Sequence, residues 1–442
     1  MRCFRGAKGD YPLASAPRYN LPMKTDREFA TDVTGKLQAA GFTALFAGGC
    51  VRDDLLGKTP KDYDIATNAT PDQVRDLFGH KRTLAIGESF GVITVLGPRS
   101  VQPIEIATFR RDGGYSDGRR PDSVEFTDAR EDAERRDFTI NGMFFDPLSD
   151  SVIDYVGGQE DLKLKQIRAI GDAQARIEED KLRMLRGVRF AATYEFSIEA
   201  QTLAAIQKRA PEIDAVSPER IGAELVRMFG HPSYVTAYRL LLKSKLWDEV
   251  LPNELAGDSV AQEVRLDELT RLRVSDDDSN QVAAVIAILV RPALDEHRGS
   301  KKGNGLLAKL QGAWKLNNEL TKSIGWIVSA MPILTDCDQT KWSEVQPWLI
   351  HAEAVTALDV VEAVGGDVQA GVEFARAKLL LPKEELNPDP LVTGGDLIEM
   401  GISPGPKFKT ILQSVRAGQL DGEITTREHC LLYTSPSPRD RG

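Results

Sequence analysis

Asp62 and Asp64 stand one residue apart in the run DYDIAT, whose composition predicts a strand. Residues i and i+2 of a strand share a face, so two carboxylates would be presented together, with Tyr63 turned to the opposite layer. Two hard oxygen donors on a rigid element suit Mg2+, above all where substrate phosphates complete its coordination shell. A lone D-x-D is more often a solvated surface pair, so its meaning depends on its surroundings. Just upstream, GGCVRD places Gly48 and Gly49 between a predicted strand and a predicted helix, where backbone N–H groups can approach a phosphate closely and Arg52 can add charge. A Gly-Gly pair by itself is commonly only a turn. Asp53 and Asp54 of the same stretch read as incidental.

A third acid would complete a two-metal arrangement for transferring a phosphoryl group, one ion activating a hydroxyl and the other holding the leaving group. Glu105 in IEIATFR is the candidate, with Ile104 and Ile106 facing a core; an acid on an open sheet face is an equally good reading of the spacing. In ERRDFTIN, Arg135, Arg136 and Asp137 sit at a predicted helix-to-strand junction, where arginine could grip phosphate oxygens in bidentate fashion or simply neutralise a helix end. Further on, EEDKLRMLRGVRF is predicted as one helix with Asp180, Arg183, Arg186 and Arg189 at intervals of three. Such a stripe is usually a salt-bridged face, but an aspartate beside an arginine also offers an acceptor and donors to the edge of a base.

The elements that must position these groups fall into two styles. Up to about residue 155, predicted helices alternate with predicted strands such as TALFAGG, FGVITVLG and VQPIEIATFR, which indicates a mixed α+β domain. The segment RRDGGYSDGRRPDSVEF reads as a mobile loop. From about Asp172 the apolar residues recur at helical intervals almost throughout. The final residues CLLYTSPSPRDRG have no periodicity and the composition of a disordered tail or a translated cloning scar.

A chain of 442 residues is too long for one ordinary core. With 41% hydrophobic residues, 28% charged residues and no apolar run of membrane-spanning length, it reads as a soluble globular protein. The N-terminal segment lacks the apolar stretch of a secretory signal, and the cysteines (Cys3, Cys50, Cys337, Cys430) form no CxxC pair, so a reducing cytoplasm is the expected setting. A net charge of −10 argues against a nonspecific polyanion binder; any nucleic acid must meet a local arginine cluster.

Taken in order, GGCVRD with DYD, IEIATFR, RRDFTIN and EDKLRMLRGVRF resemble the class II tRNA nucleotidyltransferases, the CCA-adding enzymes, and their relatives the bacterial poly(A) polymerases. LLKSKLWDEVLP and LVTGGDLIEMGISPGPKFKTILQSVRAGQLDGEITTRE extend the resemblance toward the C-terminus. It implies a nucleotidyltransferase-type β-sheet head followed by an all-helical neck, body and tail. The expected division is a disordered extension over 1–22, a catalytic head over 23–155, a neck binding nucleotide base and RNA over 156–230, a body over 231–335, a tRNA-binding tail over 336–427 and a disordered end over 428–442. It further implies that Asp62 and Asp64 hold Mg2+ with Glu105 as third acid, and that Gly48, Gly49, Arg52 and Arg136 receive the triphosphate. Asp180 and Arg183 would read the base of CTP or ATP, with Arg186 and Arg189 binding nearby, and the loop Asp112–Pro121 would assist the switch from C to A. The partner would be the 3′ end and acceptor arm of tRNA. No His-Asp dipeptide occurs, so the phosphohydrolase domain fused to some members is missing. TLAIGESFGVITV lacks the extra arginines of poly(A) polymerases, and the intact DGRRP counts against an enzyme adding only C. Poly(A) synthesis, addition of the terminal A alone, and a catalytically silent RNA-binding module remain the alternatives.

Overall fold

The computed structural model describes residues 25–87, 90–113, 124–256, 259–273, 275, 277–297, 300–399 and 405–428. The expected N-terminal extension, nearly all of the loop Asp112–Pro121 and all but Glu428 of the C-terminal end lie outside the described residues. The described chain divides into two compact units, one ending at Leu162 and one beginning at Lys163.

The first unit opens with helix α1 (Asp26–Ala39), started by a reciprocal cap between Thr25 and Glu28, and it buries Phe29, Val33 and Leu37 at the spacing the sequence predicts. Strand β1 (Ala44–Ala47) turns at Gly48 into the short helix α2 (Gly49–Leu55), and strand β2 (Ile65–Thr67) and helix α3 (Pro71–Phe78) follow. Next come β3 (Thr83–Gly87), β4 (Val92–Val95), β5 (Ile104–Thr108), the β6 (Arg110–Asp112) and β7 (Val124–Phe126) ribbon, α4 (Ala129–Glu134), β8 (Phe144–Asp146), β9 (Ser151–Ile153) and α5 (Gly158–Lys163). Among the described residues one seven-stranded sheet runs β3-β4-β5-β2-β1-β8-β9. Only β2 and β5 pair in parallel; the other neighbours are antiparallel. That parallel pair is reached by a crossover through α3, β3 and β4, as parallel strands require. Leu45, Ala47, Ala66 and Phe144 share one sheet face and pack with Ala133 of α4. The unit extends to Leu162, and the Asp154 carboxylate gathers the approach to α5 by accepting the N–H groups of Val156 (3.1 Å), Gly157 (2.9 Å), Gly158 (3.1 Å) and Gln159 (2.9 Å).

Among its described residues the second unit is helical apart from a parallel pair of two-residue strands, β10 (Gln166–Ile167) and β11 (Ser197–Ile198), too short to leave a period in the sequence. The single helix expected over EEDKLRMLRGVRF is two, α6 (Ala173–Glu179) and α7 (Arg183–Tyr194). Asp180 breaks it by adopting an extended backbone (φ −144°, ψ 105°) and accepting the N–H of Leu182 at 3.1 Å. Helices α8 (Ala200–Arg209), α9 (Pro218–Phe229) and α10 (Tyr234–Lys243) lead into a core around the apolar helix Asp278–Asp295 and the rings of Phe229, Tyr238, Trp247 and Trp314. Gly222 of α9 lets the main chain of Trp314 approach so closely that any Cβ would collide with its carbonyl. Near the end, Val392, Leu397, Val415 and Ile424 form a small separate cluster, tied back where Ser343 donates N–H and O–H to Asp421, both at 2.8 Å.

Candidate active site

In the first unit the sheet brings the predicted acids together. Asp62 and Asp64 precede β2 rather than lying inside it, yet the backbone is already in register: Ala47 N–H donates to the Asp64 carbonyl at 2.9 Å. The predicted alternation holds, with Tyr63 buried against Phe46 (ring centroids 5.3 Å apart) and both aspartates exposed. The parallel register pairs Ile65 with Ile106, so one step back along each strand sets Asp64 beside Glu105. Ile104 and Ile106 are buried and Glu105 is exposed, as its strand predicts. Although its oxygens reach solvent, Asp64 is crowded by protein; that burial first, then the charges of Asp62 and Glu105, push its carboxyl up to about 6, against an opposing pull from Arg136.

Arg136 is held by neighbours that the sequence reading did not single out. Its Nε and Nη2 donate to Asp132 Oδ2 at 3.3 and 3.1 Å, its Nη1 donates to the Asn141 carbonyl at 3.2 Å, and its guanidinium lies 5.2 Å from the Phe144 ring centre. It also explains Gly48, whose φ of +71° is the region glycine tolerates and where an added Cβ would come within 2.7 Å of Arg136 Nη1. Gly49 begins α2 and is open to close backbone approach, an added Cβ meeting only Arg52 Nη2 at 3.6 Å.

Arg52, the expected triphosphate contact, lies largely within the protein. It is 7% exposed, its Nε donates to Asp53 Oδ1 at 2.9 Å, and its Nη1 donates to Asn141 Oδ1 at 2.6 Å. The inward turn follows from Asn141, whose amide is itself anchored on Asp137 Oδ1 at 3.0 Å. Asp53 and Asp54 are therefore not incidental: one partners Arg52 and the other pairs with Arg27.

In the second unit, Asp180 Oδ2 accepts from Arg220 Nη2 at 2.7 Å, while Arg183, 8% exposed, donates to Glu179 Oε2 at 2.6 Å and to the Arg176 carbonyl at 2.7 Å. Arg186 and Arg189 lie over the Phe190 ring at 5.1 and 4.2 Å, and Arg189 Nε also donates to buried Glu224 at 2.6 Å. Arg183, Arg186 and Arg189 share α7, whereas Asp180 stands before its first turn. Asp180, Arg183 and Arg189 are thus each ion-paired, which fixes their acceptor and donors in direction, while Arg186 lies over the Phe190 ring.

Residues 44–168 match the sequence profile of the poly(A) polymerase head domain, 195–255 that of an RNA- and SrmB-binding site of polymerase A, and 307–434 that of tRNA nucleotidyltransferase domain 2. The chain is 33% identical to the CCA-adding enzyme of Lactococcus lactis subsp. cremoris over 420 residues, covering 92% of this chain and 96% of the relative. It belongs to the CCA-adding enzyme family. The CCA-adding enzyme of Lactobacillus delbrueckii subsp. bulgaricus is 34% identical over 398 residues, 89% of this chain and 94% of that one. The crystal structure of the Bacillus stearothermophilus CCA-adding enzyme in complex with CTP is similar in fold, with a TM-score of 0.72 and 28% identity over 93% of this chain and 98% of that one.

For a member of the CCA-adding family, the donor set on the head sheet fits a hard divalent cation. Asp62, Asp64 and Glu105 are oxygen donors; burial first, and then the charges of Asp62 and Glu105, raise Asp64, and a cation is the counter-charge that relieves both. Among the described residues no group of three or more His, Cys, Asp or Glu side chains is placed to hold a metal ion by itself, so a cation at Asp62 and Asp64 would need ligands from outside the protein. The readable signals for the groups missed were local: Asp132 lies four residues before Arg136, and Asn141 closes RRDFTIN. Arg220 and Glu224 come from α9, distant in sequence, and left no such signal.

Proposed function

We propose that this chain adds C, C and A in turn to the 3′ end of tRNA, using CTP and ATP as substrates and Mg2+ as cofactor. The observation that carries it is the juxtaposition of Asp64 with Asp62, Glu105 and Arg136 on one end of the head sheet. Asp62 and Asp64 hold the ion, with Glu105 as third acid. Once bound, Mg2+ supplies an acidified 3′-hydroxyl and neutralisation of the triphosphate. Arg136 and the glycine backbone at Gly48 and Gly49 receive the phosphates, and Arg52 supports that turn from within through Asn141. The 3′-hydroxyl oxygen bonds to the α-phosphorus, its proton goes to solvent, the bond to the bridging oxygen breaks, and pyrophosphate leaves with the electron pair. Asp180, presented by Arg220, and Arg183, presented by Glu179, offer the acceptor and donors that distinguish C and A from G and U, with Arg186 and Arg189 beside them.

Residues 156–230, 231–335 and 336–427, which follow the catalytic head in the chain, serve as neck, body and tRNA-binding tail. No described helix is long and apolar enough to cross a membrane, and the cytoplasm is the proposed compartment. The test is product length after incubation of tRNA ending at its discriminator base with CTP, ATP or both. Three added nucleotides with both substrates is the expected result, lost in Asp62→Ala and Asp64→Ala while circular dichroism stays native. A ladder from ATP alone would mean poly(A) synthesis, extension only of tRNA already ending in CC would mean addition of the terminal A, and no product would mean a silent RNA binder.

A further inference from the structure

We propose that Asp132 is a positioning residue for nucleotide binding, a single buried carboxylate that sets both Arg135 and Arg136 and thereby aims Arg136 across Gly48. The inference rests on the reading of Arg136 as a triphosphate-binding group. Asp132 lies on α4 and is 1% exposed. Its Oδ1 accepts from Arg135 Nε at 2.9 Å, from Arg135 Nη2 at 2.8 Å and from the main-chain N–H of Arg110 at 3.3 Å. Its Oδ2 accepts from Nε and Nη2 of Arg136 at 3.3 and 3.1 Å. A two-point grip of this kind fixes the guanidinium plane as well as its place.

The grip takes the inner edge of Arg136 and leaves Nη1 facing Asn141 and the glycine turn. Burial alone would raise the Asp132 carboxyl, but Arg136 and Arg135 outweigh it and hold the group below the ordinary carboxylate range, so it stays charged at neutral pH. A long flexible side chain loses much freedom when it closes on a phosphate; one already held loses little and binds more tightly. Asp132 therefore acts on nucleotide affinity, and equally for CTP and ATP, because the triphosphate is common to both.

The experiment compares the full chain with Asp132→Asn, which keeps the shape, removes the charge and turns an amide toward a guanidinium. CTP and ATP dissociation constants are measured by equilibrium dialysis with Mg2+, beside KM for tRNA and thermal melting. Both nucleotide constants should weaken about tenfold, with KM for tRNA unchanged. On an Arg136→Ala background the same substitution should cost less than about twofold, because the effect runs through Arg136. Unchanged nucleotide affinity in a folded Asp132→Asn, or a full tenfold loss on the Arg136→Ala background, overturns the proposal. Should Asp132→Asn fail to fold, Asp132→Glu carries the test: it keeps the charge but moves Arg136 by one methylene and should weaken both nucleotides, and wild-type affinity there overturns the idea. An unaltered chain that binds CTP but does not extend tRNA defeats the proposed function alone; one that binds no CTP defeats both.

Discussion

Asp64 carries the clearest electrostatic consequence of the site. Its folded carboxyl, raised from 3.8 to about 6, binds its proton more tightly than the unfolded chain does. The sign follows: stability falls as pH rises through the interval from 3.8 to about 6, and the repulsion is fully expressed above it. In metal-free protein at pH 7.5, Asp64→Asn should therefore stabilise the head, by about 1 kcal/mol once solvent screening of an exposed group is allowed for. That is about 3 °C in the melting of a unit this size, and the gain should vanish near pH 4. Mg2+ should raise the same transition in the unaltered chain by filling the site, and much less in Asp64→Asn. A destabilised Asp64→Asn at pH 7.5 would show that the three acids do not strain one another. The carboxylates themselves were readable in the sequence, since D-x-D and IEIATFR place acids on strand faces. The inward turn of Arg52 was not, because it is set by Asn141, a residue 89 positions away.

Secondary elements were legible where their period was long and were missed where side-chain caps or close approach decided them. Helix α1 follows directly from Phe29, Val33 and Leu37 with its Thr25–Glu28 cap. The break between α6 and α7 does not, because the apolar period of Ile177, Leu182, Leu185 and Val188 continues across it while Asp180 bonds back to the main chain. Gly222 is a second such case: within a helix, alanine is ordinarily favoured by about 1 kcal/mol over glycine. Here an added methyl meets the Trp314 carbonyl, and the main chain cannot yield as a side chain would. Gly222→Ala should accordingly destabilise the second unit by about 2 kcal/mol, read from tryptophan fluorescence in urea, because overpacking against backbone exceeds the propensity gain. A stabilised variant would mean that α9 and the helix Lys301–Trp314 stand farther apart.

At the scale of the whole chain, the two compact units differ in what reports on them. All five tryptophans, Trp247, Trp314, Trp326, Trp342 and Trp348, lie beyond Lys163, so fluorescence follows only the second unit while circular dichroism follows both. Thermal melting by the two probes should not coincide, and Asp64→Asn should move the dichroism transition that fluorescence does not see; superimposable curves would mean the chain unfolds as one cooperative body. The net charge of −10 bears on function at this scale too, since weak nonspecific attraction to RNA leaves recognition to placed arginines. By itself the sequence determined the α+β head, the helical remainder and which residue types carry the chemistry, because strand alternation, helical period and short motifs are local properties of the chain. Only the tertiary structure decided that Asp64 lies beside Glu105, that Asp132 accepts from both Arg135 and Arg136, and that Arg220 donates to Asp180. Those pairings depend on strand register and helix contact between segments distant in sequence, which no local pattern encodes.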